Sequence, residues 1–126
     1  MIFAVKTQPM SSIDLAPILE LLLPEVLVKY FTLSTHKLEQ EQLHFYFEEY
    51  NNTPEEYKQG NAISKGFYPE ITVQDFPLRG KQVFLHIKRR RWQDKTSKEV
   101  VMRDWDLVSK GTRMTKDFAN FLKQIY

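Results

Sequence analysis

A chain of 126 residues with 42% hydrophobic and 13% aromatic content is enough for one folded domain and too short for two independent cores. It contains no cysteine, which excludes disulfides and thiolate-ligated metals such as a zinc ribbon. The formal net charge of +2 hides a division: residues 1–64 hold four Lys and Arg against nine Asp and Glu, and residues 65–126 hold fourteen against seven. The working face of a protein so divided is expected in the basic half, with the acidic half as counterweight or separate contact surface.

Residues 1–12 have no hydrophobic period and are expected to be a mobile leader, followed by a single α+β domain over 13–126. Ser12 or Asp14 can cap a short helix from about Leu15, with Leu15, Ile18, Leu19 and Leu22 as its apolar stripe. Pro24 ends that helix and starts a second, PEVLVKYF. The apolar run here is short and interrupted by Glu20, so no membrane span is expected, and a soluble, cytoplasmic protein is.

From Phe31 the pattern changes. FTLSTHKL and LHFYFEEY, separated by EQEQ, predict an antiparallel hairpin in which Leu43, Phe45 and Phe47 alternate with His44, Tyr46 and Glu48. Glu48 and Glu49 are expected on its exposed side. Residues 51–66 read as a loop or hinge. FYPEITVQDFP predicts a strand, demoted at its start by Pro69, and Arg79 and Gly80 a turn.

The strand over 81–91 follows, with Val83, Leu85 and Ile87 on one face and Phe84, His86 and Lys88 on the other. It runs into Lys88, Arg89, Arg90 and Arg91, expected at the end of a hairpin in water or against an anion. QDKTSK predicts the turn and EVVMRDWDLV the return strand. After Gly111 comes the clearest helix, with Thr115 as N-cap, Asp117 in the first turn, and Phe118, Phe121, Leu122 and Ile125 as core. The architecture expected is a short helical pair, an antiparallel sheet of about five strands and a C-terminal helix packed across it.

Chemistry follows from the cations. Lys88, Arg89, Arg90 and Arg91, joined by Arg79, Lys81, Lys95, Arg103 and Arg113, form a candidate duplex DNA surface, since Arg forks onto phosphate and guanine and a two-stranded ribbon fits a major groove. Trp92 joins that set as a base-stacking ring, its structural alternative being to pin the hairpin. The run could equally be a solvated edge that blocks strand aggregation. His36, His44 and His86 lack paired ligand spacing, so no metal or other cofactor is expected. Asp75, Asp104 and Asp106 are the alternative, a divalent-cation nuclease site, against a reading as partners of Arg79, Arg103 and Arg113 in a surface network. A protein-interaction or dimerisation adaptor is the third class.

DFPLRGKQVFLHIKRRRW at 75–92, a short turn, a return strand and RMTKDFANFL at 113–122 together resemble the N-terminal region of bacterial insertion-sequence transposases. The Aon-type N-terminal region is the more similar form, with GFYPE, ITVQDFP and RDWDLVSKGTR also in place, and the resemblance covers roughly residues 15–126. A more distant resemblance is to a larger transposase family whose N-terminal region is a zinc ribbon. Where those relatives carry cysteines this chain has Gln93, Asp94, Lys95 and Thr96, so packing around Trp92 and Trp105 would replace the metal. The resemblance implies a non-catalytic module that recognises DNA at the ends of the element. Its partners would be a catalytic transposase polypeptide or domain that supplies the carboxylate triad, and a second copy of the module.

Overall fold

The computed structural model describes residues 16–54, 61–102 and 113–125. Two short helices, α1 (Ala16–Leu22) and α2 (Glu25–Tyr30), break at Pro24, whose carbonyl starts α2 by accepting the N–H of Leu27 and Val28. Seven strands follow among the described residues: β1 (Phe31–Glu39), β2 (Gln42–Glu49), β3 (Ala62–Phe67), β4 (Ile71–Leu78), β5 (Lys81–Lys88), β6 (Arg90–Asp94) and β7 (Val100–Val101). Helix α3 (Lys116–Ile125) comes last. The fold is α+β.

The strands form two sheets, of order β1-β2-β5-β4 and β3-β6-β7, where one sheet of about five strands was expected. The first sheet is two hairpins side by side. Glu39 pairs with Gln42 across the EQEQ turn and Leu78 with Lys81 across Arg79-Gly80, as the turn residues predict. The hairpins meet through β2 and β5, which run parallel, so the sheet is not wholly antiparallel. Register places Phe47 beside Ile87 and Phe45 beside Leu85, and Ile71 and Val73 of β4 continue both rows.

That alternation builds the core. Phe47, Val73, Val83, Leu85 and Ile87 face one way and meet Leu23 and Leu27 from the helical pair and Phe31 at the start of β1. Each such side chain, fully buried, contributes about 1.5–3 kcal/mol of transfer free energy. Of the expected helical stripe, Leu15 and the Leu19 side chain lie outside the described residues, and the other two members are not buried. Ile18 and Leu22 lie exposed and Leu21 is 86% exposed, while the burial falls to Leu23 and Leu27 at the α1–α2 elbow. A helix of seven residues makes under two turns, so only its end can reach the sheet.

Three further expectations are corrected. Residues 62–66, read as part of a loop, form β3 together with Phe67, which was assigned to the following strand. The strand over 81–91 is two strands, because the chain leaves the first sheet at Lys88 and joins the second at Arg90. Helix α3 flanks the edge strand β4 instead of crossing the sheet. Residues 113–115 add to that edge, with Gln74 N donating to the Arg113 carbonyl at 2.7 Å and Thr115 N to the Gln74 carbonyl at 2.9 Å. Thr115 does cap the helix, its Oγ1 accepting the Phe118 N–H at 3.3 Å. Phe118 is buried, but Phe121 and Ile125 are exposed; among the described residues the helix packs chiefly on the single edge strand β4.

Candidate nucleic-acid interface

The cationic run sits at the joint between the sheets, not at a hairpin end. Arg89 lies outside both strands, and its carbonyl accepts the Tyr68 N–H at 2.8 Å. Glu49, the last residue of β2, turns inward at the same level and is 2% exposed. Its Oε1 accepts the Arg90 backbone N–H at 2.9 Å and its Oε2 the indole N–H of Trp92 at 3.3 Å. The Arg90 guanidinium donates from Nε to the Glu49 carbonyl at 2.9 Å and from Nη1 to Ser64 Oγ at 2.7 Å, and lies 4.6 Å from the centre of the Phe67 ring.

Two of the expected contact residues are therefore withdrawn. Arg90 spends its donors on the joint, and Trp92, 1% exposed, belongs to the interior and cannot stack on a base. Glu49 itself was expected on the exposed side. Two donors, the Arg90 backbone N–H and the Trp92 indole N–H, converge on its side chain, and a carboxylate has an acceptor oxygen for each.

The other cations divide by position. Lys88 points back to the first sheet and pairs with Glu48 at 3.9 Å, an exposed contact of small energetic weight. Arg89 and Arg91 both place their guanidinium carbons 5.9 Å from the centre of the Tyr68 ring. The Arg89 Nε is buried without a hydrogen-bond partner among the described residues. Arg91 is exposed on the face opposite Trp92, where two residues, Lys65 and Gly66, oppose it in a bulge with Gly66 at φ +84°.

Lys95 and Lys98 are exposed in the turn between β6 and β7. Asp94 organises that turn, accepting the Thr96 N–H at 2.7 Å and the Ser97 N–H at 3.0 Å, which hold its carboxyl below the ordinary range. Among the described residues, the β3-β6-β7 sheet with its turns and the link at Arg89 thus carries Lys65, Arg89, Arg90, Arg91, Lys95 and Lys98 against Asp94 and Glu99. The four-stranded sheet has the opposite balance: Lys37, Arg79, Lys81 and Lys88 against Glu39, Glu41, Glu48, Glu49, Glu70 and Asp75.

Arg79, Lys81 and Arg113 do not join the basic sheet. Lys81 pairs with Glu41 at 3.9 Å at the far end of β5, roughly 25 Å of strand from Arg89. Arg113 lies on the β4 edge. Arg103 falls outside the described residues, as do Asp104, Trp105 and Asp106. Asp75, the remaining member of the nuclease alternative, is buried and accepts the Thr115 hydroxyl at 2.8 Å, at the start of α3. Burial raises its pKa above the ordinary carboxylate range, the Thr115 and Phe76 hydrogen bonds opposing that shift and Asp117 adding to it.

His44 and His86, assigned to separate strands, are neighbours: His44 Nδ1 lies 2.8 Å from His86 Nε2. Glu70 approaches the other nitrogen of His86, so these three cannot converge on one ion. Among the described residues no group of three metal-binding side chains comes together. No helix there is long and apolar enough to cross a membrane.

No family model matches the chain, nor does any curated protein or solved structure.

Sequence reasoning missed Glu49, Ser64, Phe67 and Tyr68. For Glu49 a signal existed, because it shares parity with Phe47, Phe45 and Leu43 and so belongs to the buried face of its strand.

Proposed function

We propose that the domain binds duplex DNA through the β3-β6-β7 sheet, as a non-catalytic module that recognises the ends of an insertion element for a transposase. The observation that carries DNA binding is the separation of charge among the described residues: six cations against two carboxylates in and beside one sheet, four against six in the other. Arg91, Lys65, Lys95 and Lys98 supply the exposed charge, and the guanidinium groups of Arg89 and Arg91 both lie 5.9 Å from the centre of the Tyr68 ring. The connection to transposition rests on the sequence resemblance alone.

Each phosphate contact that releases a counterion steepens the fall of log affinity with log salt by about 0.9. Fluorescence anisotropy with a labelled duplex tests the reading. Arg91→Ala, Lys95→Ala and Lys98→Ala are each expected to reduce that slope by about 0.9 without loss of stability, while Lys81→Ala and Arg113→Ala leave it unchanged. Equal affinity and slope in the parent and the Arg91, Lys95, Lys98 triple alanine variant would end the proposal. Arg90→Ala is expected to act on folding first, because its guanidinium holds β6 to β2.

A second reading, a protein-interaction adaptor, is favoured by the exposed Ile18, Leu21 and Leu22 of α1. Self-association that survives Arg91→Ala and is lost in Leu21→Asp, read by sedimentation velocity, would support it.

A further inference from the structure

The parallel pairing of β2 with β5 is the seam that holds the two hairpins of the first sheet together. On the face of that seam away from Phe47, Leu85 and Ile87, four rings stand in a row. Tyr46 stacks on His86 with centroids 4.3 Å apart, the His86 and His44 centroids lie 5.0 Å apart with their planes 23° from parallel, and the His44 and Phe84 centroids lie 5.4 Å apart. The two imidazoles also meet edge to edge, His44 Nδ1 and His86 Nε2 being 2.8 Å apart. The second nitrogen of His86, Nδ1, lies 3.0 Å from Thr72 Oγ1 on β4 and 3.6 Å from Glu70 Oε1, and the His86 side chain is 12% exposed.

The charged groups around the pair are few. From β1, Lys37 Nζ lies 5.5 Å from the centre of the Tyr46 ring. From the β4 side comes Glu70, and farther along the seam Glu48 and Lys88 pair with each other.

A count of protons follows from the 2.8 Å contact, which needs one hydrogen between the two nitrogens. With both rings neutral this is met in either direction, since the Thr72 hydroxyl can donate to His86 Nδ1 or accept from it. With one ring protonated the imidazolium donates to its neutral neighbour, and the bond becomes charge-assisted. With both protonated, each inner nitrogen carries a hydrogen, two N–H groups oppose each other and two cations adjoin. The contact then has no acceptor.

We propose that the His44–His86 pair is an acid-operated latch on the β2–β5 seam, closed with neither or one of the rings charged and open when both are. The direction of His86 agrees. Burial holds its pKa below the ordinary imidazole range, His44 and Lys37 reinforce that shift, and Glu70 opposes it. A depressed folded value means that this histidine's contribution to stability is present above the ordinary pKa and is lost as pH falls through the depressed one.

A double-mutant cycle reads the latch, with His44→Phe and His86→Phe chosen because phenylalanine keeps the stacking and removes the nitrogens. The coupling in the unfolding constant is expected to be about tenfold near pH 7.5 and to fall below about twofold near pH 4.5. A coupling absent at both, or equal at both, overturns the proposal. Should a variant fail to fold, imidazole nitrogen NMR of the parent chain decides. Two successive protonation steps, the second accompanied by faster amide exchange along β2 and β5, support the latch. One common midpoint for both rings with protected amides rejects it.

Discussion

Glu49 Oε1 accepts the Arg90 N–H at 2.9 Å while its Oε2 receives the Trp92 indole N–H at 3.3 Å, so one carboxylate at the end of β2 fastens the start of β6 in the second sheet. The charge of the run Lys88–Arg91 is partitioned by this contact. Arg90 and Trp92 go inward with Glu49, and Arg91 is left exposed on the opposite face.

Glu49→Gln offers one acceptor where two donors arrive, and its NH2 group opposes the other donor. A loss of about 1–3 kcal/mol in urea unfolding is expected, read by the fluorescence of the tryptophans, with Glu49→Ala costing more because all the donors are orphaned. Unchanged stability in both variants would show that the two sheets hold together without this carboxylate.

The two hairpin turns of the first sheet differ in backbone strain. Gln40 and Glu41 have φ of 50° and 64°, while Arg79 and Gly80 have 52° and 79°. Only the second turn has glycine where a positive φ is demanded. Replacing Glu41 with Gly, and Gln40 with Asn, is expected to stabilise the domain by about 1 kcal/mol, the lost Glu41–Lys81 pair being exposed and weak. Gly80→Ala is expected to cost about 1 kcal/mol from backbone strain alone, since no atom lies within 4 Å of the added Cβ. Denaturant midpoints check both, and equal effects at the two turns would refute the account.

Asp75 gives a pH dependence of opposite sign to that of His86. Its raised pKa means that its contribution to stability is full below the ordinary carboxylate value and is lost as pH rises through the raised one. Asp75→Asn keeps an acceptor for the Thr115 hydroxyl and removes the buried charge. At neutral pH the variant is expected to exceed the parent by on the order of 1 kcal/mol, an advantage that disappears in acid. A deficit of the same size at every pH would mean that the carboxylate is needed for its shape and not limited by its charge.

Much of the first sheet was legible. The alternation of Val83, Leu85 and Ile87, the EQEQ turn, the Arg79-Gly80 turn and the Thr115 cap are all local, and each appears where its residues predict. The candidate site was legible only as composition. Four adjacent cations specify positive charge but not direction, and the bend at Arg89, together with the carboxylate beneath Arg90, assigned them to three different surroundings. The apolar stripes of α1 and α3 misled for a related reason: a helical period shows that one face is apolar, whereas burial depends on how wide a surface the rest of the chain offers.

The amino-acid order by itself determined the class of fold, the hairpins and the excess of positive charge in the second half, because strand parity, turn chemistry and capping act over a few residues. The tertiary structure decided that the strands divide into two sheets of opposite charge and that Glu49 captures Arg90 and Trp92. It also brought His44 against His86. Those are contacts between residues some forty positions apart, and no short-range pattern in a chain encodes which distant partner will fill a given donor or acceptor.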